Sequence, residues 1–331
     1  MSPLRQFFTK ANQVQMSNPA LRKVTVILTL VDRSAYTRQY LHSNIVDGLN
    51  YMIVDASVGN ENFEECRNAI RGGIEYFREP VDQNLHDHLN KLIRYLSRAK
   101  TPYVLLSDND DLILPRGIVA AAEALNSNLM AVAAGGAVLG YKGRGTPTRF
   151  ASLPYMSWGA PSGMGLSAIL ESRNVYQSTW YSLYRRNVLL DILTEVAQWK
   201  ITDPYLVEYA MCDLTFASGP FVAVNSPMYA RLTNQKSRTV QSSKSFQSEG
   251  WRTRTWFAEA DQFDSMLAKR LKVSKDDLTT NAKRWILLAH VPSTHENFWS
   301  QWPVYLRLLT SSFTILPFWL MRFLARRGLY V

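Results

Sequence analysis

The sequence predicts an α/β fold, a mostly parallel sheet with helices on both faces, and three observations carry that expectation. Short, near-continuous apolar runs recur at 24–31, 51–55 and 103–107, the composition of strands covered on both sides. Amphipathic stretches alternate with them in a β-α-β-α-β-α-β rhythm. The runs end in carboxylates, Asp32, Asp55 and then Asp108, Asp110 and Asp111, and ligands collect outside the C-terminal strand ends of such sheets.

VTVILTLV (24–31) is β-branched and reads as the first strand, with Asp32 and Arg33 at its exit. SAYTRQYLHSNIVDGL places Tyr36, Tyr40, Ile45 and Leu49 at helical intervals and ends near a glycine, so it predicts an amphipathic helix. YMIVD (51–55) follows as a strand, ENFEECRNAIRG as a helix with a glycine stop, IEYFRE as a third strand and LHDHLNKLIRYLSRA as a strongly periodic helix before YVLLS (103–107). From about 140 to 175 the chain turns to Gly, Pro, Ser and aromatics, a long loop of the kind that is usually functional. STWYSLYRRNVLLDIL resumes order, ITDPYLVEYAMCDLTFASG predicts a helix ending at Gly219, and FVAVNSPMYARLTN predicts a strand and its exit. Residues 231–254 set Arg231, Lys236, Arg238, Lys244, Arg252 and Arg254 against Glu249 alone, a basic and flexible segment suited to phosphates. Ser274 and Asp277 form a cap before LTTNAKRWILLAHV.

With 331 residues and 47% hydrophobic content, the chain can bury a sizeable core. It divides into a leader (1–23), a main domain (24–255) with halves at 24–117 and 118–255, and a C-terminal helical region (256–331). Lys plus Arg number 37 against 27 Asp plus Glu, a net charge of +10 that favours anionic partners. Cys66 and Cys212 make no CxxC pair, so neither a disulfide framework nor a zinc site is expected. The leader lacks an apolar core of signal-peptide length, and the expected location is cytoplasmic. Residues 308–321, LLTSSFTILPFWLM, are charge-free, but span only about 21 Å as helix against a hydrocarbon core of roughly 30 Å. Trp302, Trp319 and Phe323 beside Arg322, Arg326 and Arg327 suit either peripheral membrane contact through residues 302–327 or a helix packed on protein.

Three adjacent carboxylates at a strand end repel one another, and a divalent cation removes that penalty. Hard oxygen ligands select Mg²⁺ or Mn²⁺, ions that share their shell with substrate phosphates. A plainer role is a cap, by Asp110 or Asp111, on a helix beginning near Pro115. No GxxxxGK[ST] is present, which removes a P-loop, and no GxGxxG follows the first strand. His86 and His88 are two apart, the wrong spacing for one helix face.

At this point the sequence resembles glycosyltransferases of GT-A type, the large inverting group that uses nucleotide-diphosphate sugars. VTVILTLVDR is similar to that family's opening strand, YMIVDASVGNEN to its second, and YVLLSDNDDLILP to its fourth, whose Asp-x-Asp-Asp carries ribose and metal contacts. The resemblance covers roughly 24–240 and departs from the family at Asp55-Ala56-Ser57, where an Asp-Gly pair is usual, and at Asn90, which is followed by Lys91. It implies that Leu30 and Asp32 border the base, that Arg33 and Asn90 belong to the nucleotide site, and that Asp55 accepts from a base N–H. It implies Asp108 at the ribose or metal, Asp110 on the metal, Asp111 orienting the loop from behind, and uracil as the favoured base.

In inverting relatives the base is a carboxylate near the start of a helix that ends in glycine before a strand. LVEYAMCDLTFASGPFVAV fits that outline, with Glu208 first and Asp213 second. Glu208 as a partner of Arg185 or Arg186 is the competing reading, and Asp203 caps the helix before Pro204. Arg231, Lys236 and Arg238 are placed to fold over the departing diphosphate. Trp158, Tyr176, Trp180 and Tyr181 either stack on sugars or belong to the core.

The expected protein is thus a metal-dependent glycosyltransferase taking a nucleotide-sugar donor and a saccharide or lipid-linked acceptor. The rivals are a nucleotidyltransferase, which would show a glycine-rich loop that TLVDRSAYT lacks, and a nucleic-acid-binding module. Nucleic acid is not expected as a partner, because the basic residues do not concentrate on one helix and an acidic strand end repels a phosphate backbone.

Overall fold

The computed structural model describes residues 18–43, 45–70, 73–142, 149–150, 162–174, 178–232 and 254–278. The expected segment at 302–327, Lys236, Arg238, Trp158 and Tyr176 lie outside these residues.

The core of the molecule is a seven-stranded sheet. Its strands are β1 (Val24–Leu30), β2 (Asn50–Asp55), β3 (Ile74–Arg78), β4 (Tyr103–Asp108), β6 (Ala133–Gly135), β9 (Leu183–Arg185) and β10 (Phe221–Ala223). They lie in the order β10-β6-β9-β4-β1-β2-β3. All run parallel except β9, which is antiparallel to both β4 and β6. The alternation of β1 explains its unbroken apolar run. Ile27 packs into one core with Met52, Leu92 and Ile192, while Val26, Leu28 and Leu30 pack into the other with Tyr40, Ile118 and Leu125.

The first core lies under helices α3 (Leu85–Arg98), α5 (Gly165–Asn174), α6 (Arg186–Gln198), α7 (Pro204–Ser218) and α8 (Arg254–Leu271). The second lies under α1 (Ser34–Ser43), α2 (Glu61–Arg67) and α4 (Pro115–Ser127). Local chemistry sets the helix starts. The Asn84 side chain accepts from the Asp87 N–H at 3.1 Å to cap α3, and Asp203 Oδ1 accepts from the Leu206 N–H at 3.0 Å to cap α7. Beyond α8, Ser274 Oγ accepts from the Asp276 N–H while Asp277 accepts from the Ser274 N–H, the reciprocal cap the sequence predicts.

Four expectations need correction, the first being the long loop read from about 140 to 175, which holds helix α5 at Gly165–Asn174. The helix read from 34 to 49 stops at Ser43, because Ile45, Val46 and Leu49 turn back into the core and the Val46 N–H donates to Tyr51 Oη. The strand expected at FVAVNSPMYARLTN is followed by a second one rather than by an exit alone, since Asn225-Ser226-Pro227 separates β10 from β11 (Tyr229–Leu232), in different sheets. Helix α4 is capped by neither Asp110 nor Asp111; its N-cap is Leu114, without a side-chain bond, and Pro115 opens the first turn.

The second sheet, in the order β5-β11-β7-β8, adds β5 (Leu112–Ile113), β7 (Val138–Lys142) and β8 (Arg149–Phe150). Antiparallel pairing sets Tyr229 against Ile113 and Ala230 against Leu112. Two glycines let this happen. A Cβ at Gly117 would stand 2.3 Å from the Pro227 carbonyl oxygen, and one at Gly136 only 1.9 Å from that of Ser226. The 226–228 segment passes between them, held where the Leu114 N–H donates to the Met228 carbonyl at 2.9 Å and the Met228 N–H to that of Ala137 at 3.0 Å.

Gly117→Ala tests this clamp. In an open helix the change would add about 1 kcal/mol of stability through propensity. Here the clash wins, and overpacking predicts a loss of about 1–3 kcal/mol in urea unfolding. A gain would refute the clamp.

Candidate active site

The strand order reverses between β1 and β4, the place where an open α/β sheet forms a crevice at its strand ends. Leu30 ends β1, and its carbonyl accepts from the Ala56 N–H at 2.9 Å. Asp32 and Arg33 follow in left-handed backbone, with φ of 52° and 57°. Such a pair of non-glycine residues costs about 1 kcal/mol or more each and persists only where neighbours hold it. The neighbours are polar and largely buried. Ser57 Oγ accepts from the Asp32 N–H at 2.7 Å, Asp32 Oδ1 accepts from the Val58 N–H at 3.2 Å, and Asn62 Nδ2 donates to the Asp32 carbonyl at 2.9 Å. Thr37 donates to Asn62 and accepts from Asn109, which lies inside the acidic motif itself.

The turn aims Arg33 at the acidic cluster, where its Nη1 donates to Asp110 Oδ2 at 2.6 Å. Asp108 Oδ1 accepts from Thr29 Oγ1 at 2.8 Å. Asp111 is buried, and its N–H donates to the Asp108 carbonyl at 3.3 Å, closing a tight turn. One oxygen from each of Asp108, Asp110 and Asp111 falls within 4.8 Å of the others. Burial and the Asp108 charge push the Asp110 carboxyl up, against the pull of Arg33 and Arg231.

Arg231 arrives from the other sheet. Continuing the β5–β11 register one step past Ala230 and Leu112 brings it across from Asp111. Its guanidinium lies over the Tyr181 ring, 5.5 Å from the centroid, and Tyr181 packs on Tyr229 at 5.1 Å. The buried Tyr181 phenol reports what converges here. Burial raises its pKa most, Arg231 opposes, and the charges of Asp111, Glu208 and Asp108 add to the rise. Glu208, half-buried in the second turn of α7, therefore belongs to the same locality. Arg185 and Arg186 are occupied elsewhere, donating to the carbonyls of Ala131 and Leu125 and of Ala99 respectively, so neither is used to neutralise Glu208.

Two expected residues have other work. Asp55 is fully buried; its Oδ1 accepts from the Ser57 N–H and hydroxyl, and its Oδ2 from Tyr76 Oη at 2.6 Å and Arg78 Nη1 at 2.7 Å. Four donors fill the four lone-pair directions of a carboxylate, so the expected acceptance from a base N–H is not open to it. Asp55 instead anchors the 55–59 loop, together with Arg78, which also donates to the carbonyls of Ser57, Val58 and Gly59.

Asp213 is likewise unsuited to act as a base. Arg173 Nη2 donates to it at 2.6 Å and to Asp264 at 3.0 Å, and Arg173 Nη1 donates to the Leu278 carbonyl at 3.2 Å, all buried between α5, α7 and α8. Burial pushes the Asp213 carboxyl up to about 6, against the pull of Arg173.

Asn90 is exposed on α3, whose adjacent Lys91 is buried and pairs with Asp82 at 2.5 Å. His88 meets the same Asp82 at 3.3 Å, and Trp180 packs against both cores. Cys66 and Cys212 are buried free thiols, each pushed up to about 12, mainly by burial. Sequence reasoning missed Thr29, Ser57, Asn62 and Arg78. Only Arg78, a cation ending the third strand, carried a signal of its own.

No protein-family model matches the chain, and no curated protein matches it in sequence. Among solved structures it is similar to S. aureus TarS 1-349 in complex with UDP-GlcNAc, with a TM-score of 0.51 and 13% identity over 86% of this chain and 79% of that one. It is also similar to TarS 1-349 in complex with UDP, at a TM-score of 0.49 and 14% identity over 87% and 79%. Against a longer TarS chain the TM-score is 0.49 at 14% identity, and the match covers 83% of this chain but 45% of that one. This chain thus spans less than half of that longer protein. The likeness is one of fold.

Two measurements check the reassigned carboxylates. Asp55→Asn turns two acceptor positions toward donors and should cost about 1–3 kcal/mol in urea unfolding with no ligand present; an unchanged midpoint would remove its anchoring role. For Asp213, folding raises the pKa from 3.8 to about 6, so the native state holds the extra proton in that window. Stability is therefore greatest below about pH 4 for this group and falls by up to about 3 kcal/mol as pH rises through about 6. Asp213→Asn should flatten the profile between those values, and an unaltered slope would contradict the assignment.

Proposed function

We propose that the protein is a glycosyltransferase that moves a sugar from a nucleotide-diphosphate sugar, with a UDP-sugar favoured, to an acceptor hydroxyl with inversion, in polysaccharide or glycolipid synthesis. The observation that carries the reading is the meeting of three carboxylates with Arg33 and Arg231 at the reversal point of the sheet, with Glu208 in the same locality. The solved TarS fold of highest similarity reported above holds UDP-GlcNAc, which supports this donor class by analogy of fold.

Three carboxylate oxygens within 4.8 Å form a hard donor set that fits Mg²⁺ or Mn²⁺. Asp108 and Asp110 would hold the ion, with Arg33 turning from Asp110 toward phosphate. When bound, such an ion supplies a Lewis acid for the departing diphosphate.

The chain supplies the rest. Leu30 and Asp32 border the base, beside the loop that Asp55 and Arg78 hold. Arg231, fixed on the Tyr181 ring, lies along the diphosphate, and Lys236 and Arg238 continue that cationic stretch. Glu208 takes the proton of the acceptor hydroxyl as its oxygen bonds to the anomeric carbon. The bond from that carbon to the diphosphate oxygen breaks, and its electron pair leaves with the diphosphate. A positioned base of this kind contributes typically 10²–10⁴-fold.

The test is a panel of nucleotide sugars scored by thermal stabilisation and by transfer, with Mn²⁺ or Mg²⁺. At least one uridine donor should bind, and Asp110→Ala should abolish metal-dependent binding. Glu208→Gln should keep donor binding and lower kcat by about 10²–10⁴-fold. The proposal is lost if no donor binds, or if Asp110→Ala binds as well as the unaltered protein.

A further inference from the structure

The end of the sheet opposite the crevice has a character of its own. Six strands start there, and the connections that reach it carry exposed cations: Arg22 and Lys23 before β1, and Lys100 before β4. Between α4 and β6 the chain exposes two consecutive apolar side chains, Leu129 at 79% and Met130 at 76%, among the most exposed large hydrophobics of the described residues. Contacts tie Lys23 to the end of α4 that leads into Leu129. Lys23 Nζ donates to Asn126 Oδ1 at 3.1 Å, and Tyr103 Oη donates to the same oxygen at 3.0 Å. Arg185 donates to the Asn128 carbonyl at 3.1 Å, beside Leu129. Acids at this end include Asp47 before β2, Glu75 at the start of β3, and Glu123, which accepts from Asn18.

Stability does not explain the pair of apolar tips. Leu129 and Met130 sit outside both hydrophobic cores, and an exposed Leu-Met pair gains nothing from water. Apolar tips flanked by cations are what an interface between water and anionic lipid selects, the tips entering the acyl boundary while the cations meet headgroup phosphates. A polyanion such as RNA would use the cations and leave the tips unsatisfied.

We propose that this strand-start end docks on an anionic lipid surface. The surface differs from residues 302–327 and stands apart from the crevice by one strand, roughly 20 Å. Docking there leaves the crevice open to solvent.

Vesicle flotation of the full chain tests the idea. Binding is expected to phosphatidylcholine vesicles carrying 30% phosphatidylglycerol, weakening as salt rises, and not to phosphatidylcholine alone. Leu129→Asp with Met130→Asp should lower binding at least ten-fold, and Arg22→Glu with Lys100→Glu should do the same through charge. All four positions are exposed, so thermal unfolding should be unchanged. Failure to bind anionic vesicles, equal binding to neutral ones, or binding that survives both double variants overturns the proposal. So does binding to RNA without binding to vesicles.

Discussion

Three like charges at the end of one buried strand are the constraint from which the site is organised. Carboxylates within 4.8 Å of one another repel strongly where water is partly excluded. The protein answers with cations from two directions: Arg33 off the end of β1 and Arg231 off β11. Each is delivered by an unusual piece of backbone. Arg33 needs two consecutive left-handed residues, braced by Ser57, Asn62 and Asn109. Arg231 needs β11 laid against β5, which needs side-chain-free positions at 117 and 136. Substituting either glycine thus acts on the charge balance of a site it does not touch.

Much of the architecture was legible in the chain because it depends on local pattern. Near-continuous apolar runs mean strands covered on both faces, and β1 divides its residues between two cores. The Ser274–Asp277 cap and the Asp203 cap could be read for the same reason, since donor and acceptor lie within four residues. The acidic cluster was legible because all three members share one strand end.

What sequence did not reveal depends on partners far along the chain. Asp55 looks available until Ser57, Tyr76 and Arg78 fill its lone pairs. Asp213 and Glu208 are five positions apart on one helix. Only the arrival of Arg173 and Asp264 shows that one is sealed in the helical layer, while the other stays near the crevice. The break between β10 and β11 was signalled by Asn225-Ser226-Pro227, but their assignment to different sheets follows from pairing with β6 and β5, which no local pattern encodes.

The antiparallel β9 carries a consequence for how the chain comes together. Strands β1, β2, β3 and β4 are joined by helical crossovers and pair among themselves, so residues 24–108 can assemble from near-neighbour contacts. By contrast β6 pairs with β9 and β10, and β9 joins Tyr103 to Arg185 across a long stretch of chain. Contacts of that span are slow to close. During synthesis the acidic strand end is therefore built well before Arg231 and Glu208 exist to complete it, and the nascent half must carry its charges on Arg33 and solvent alone.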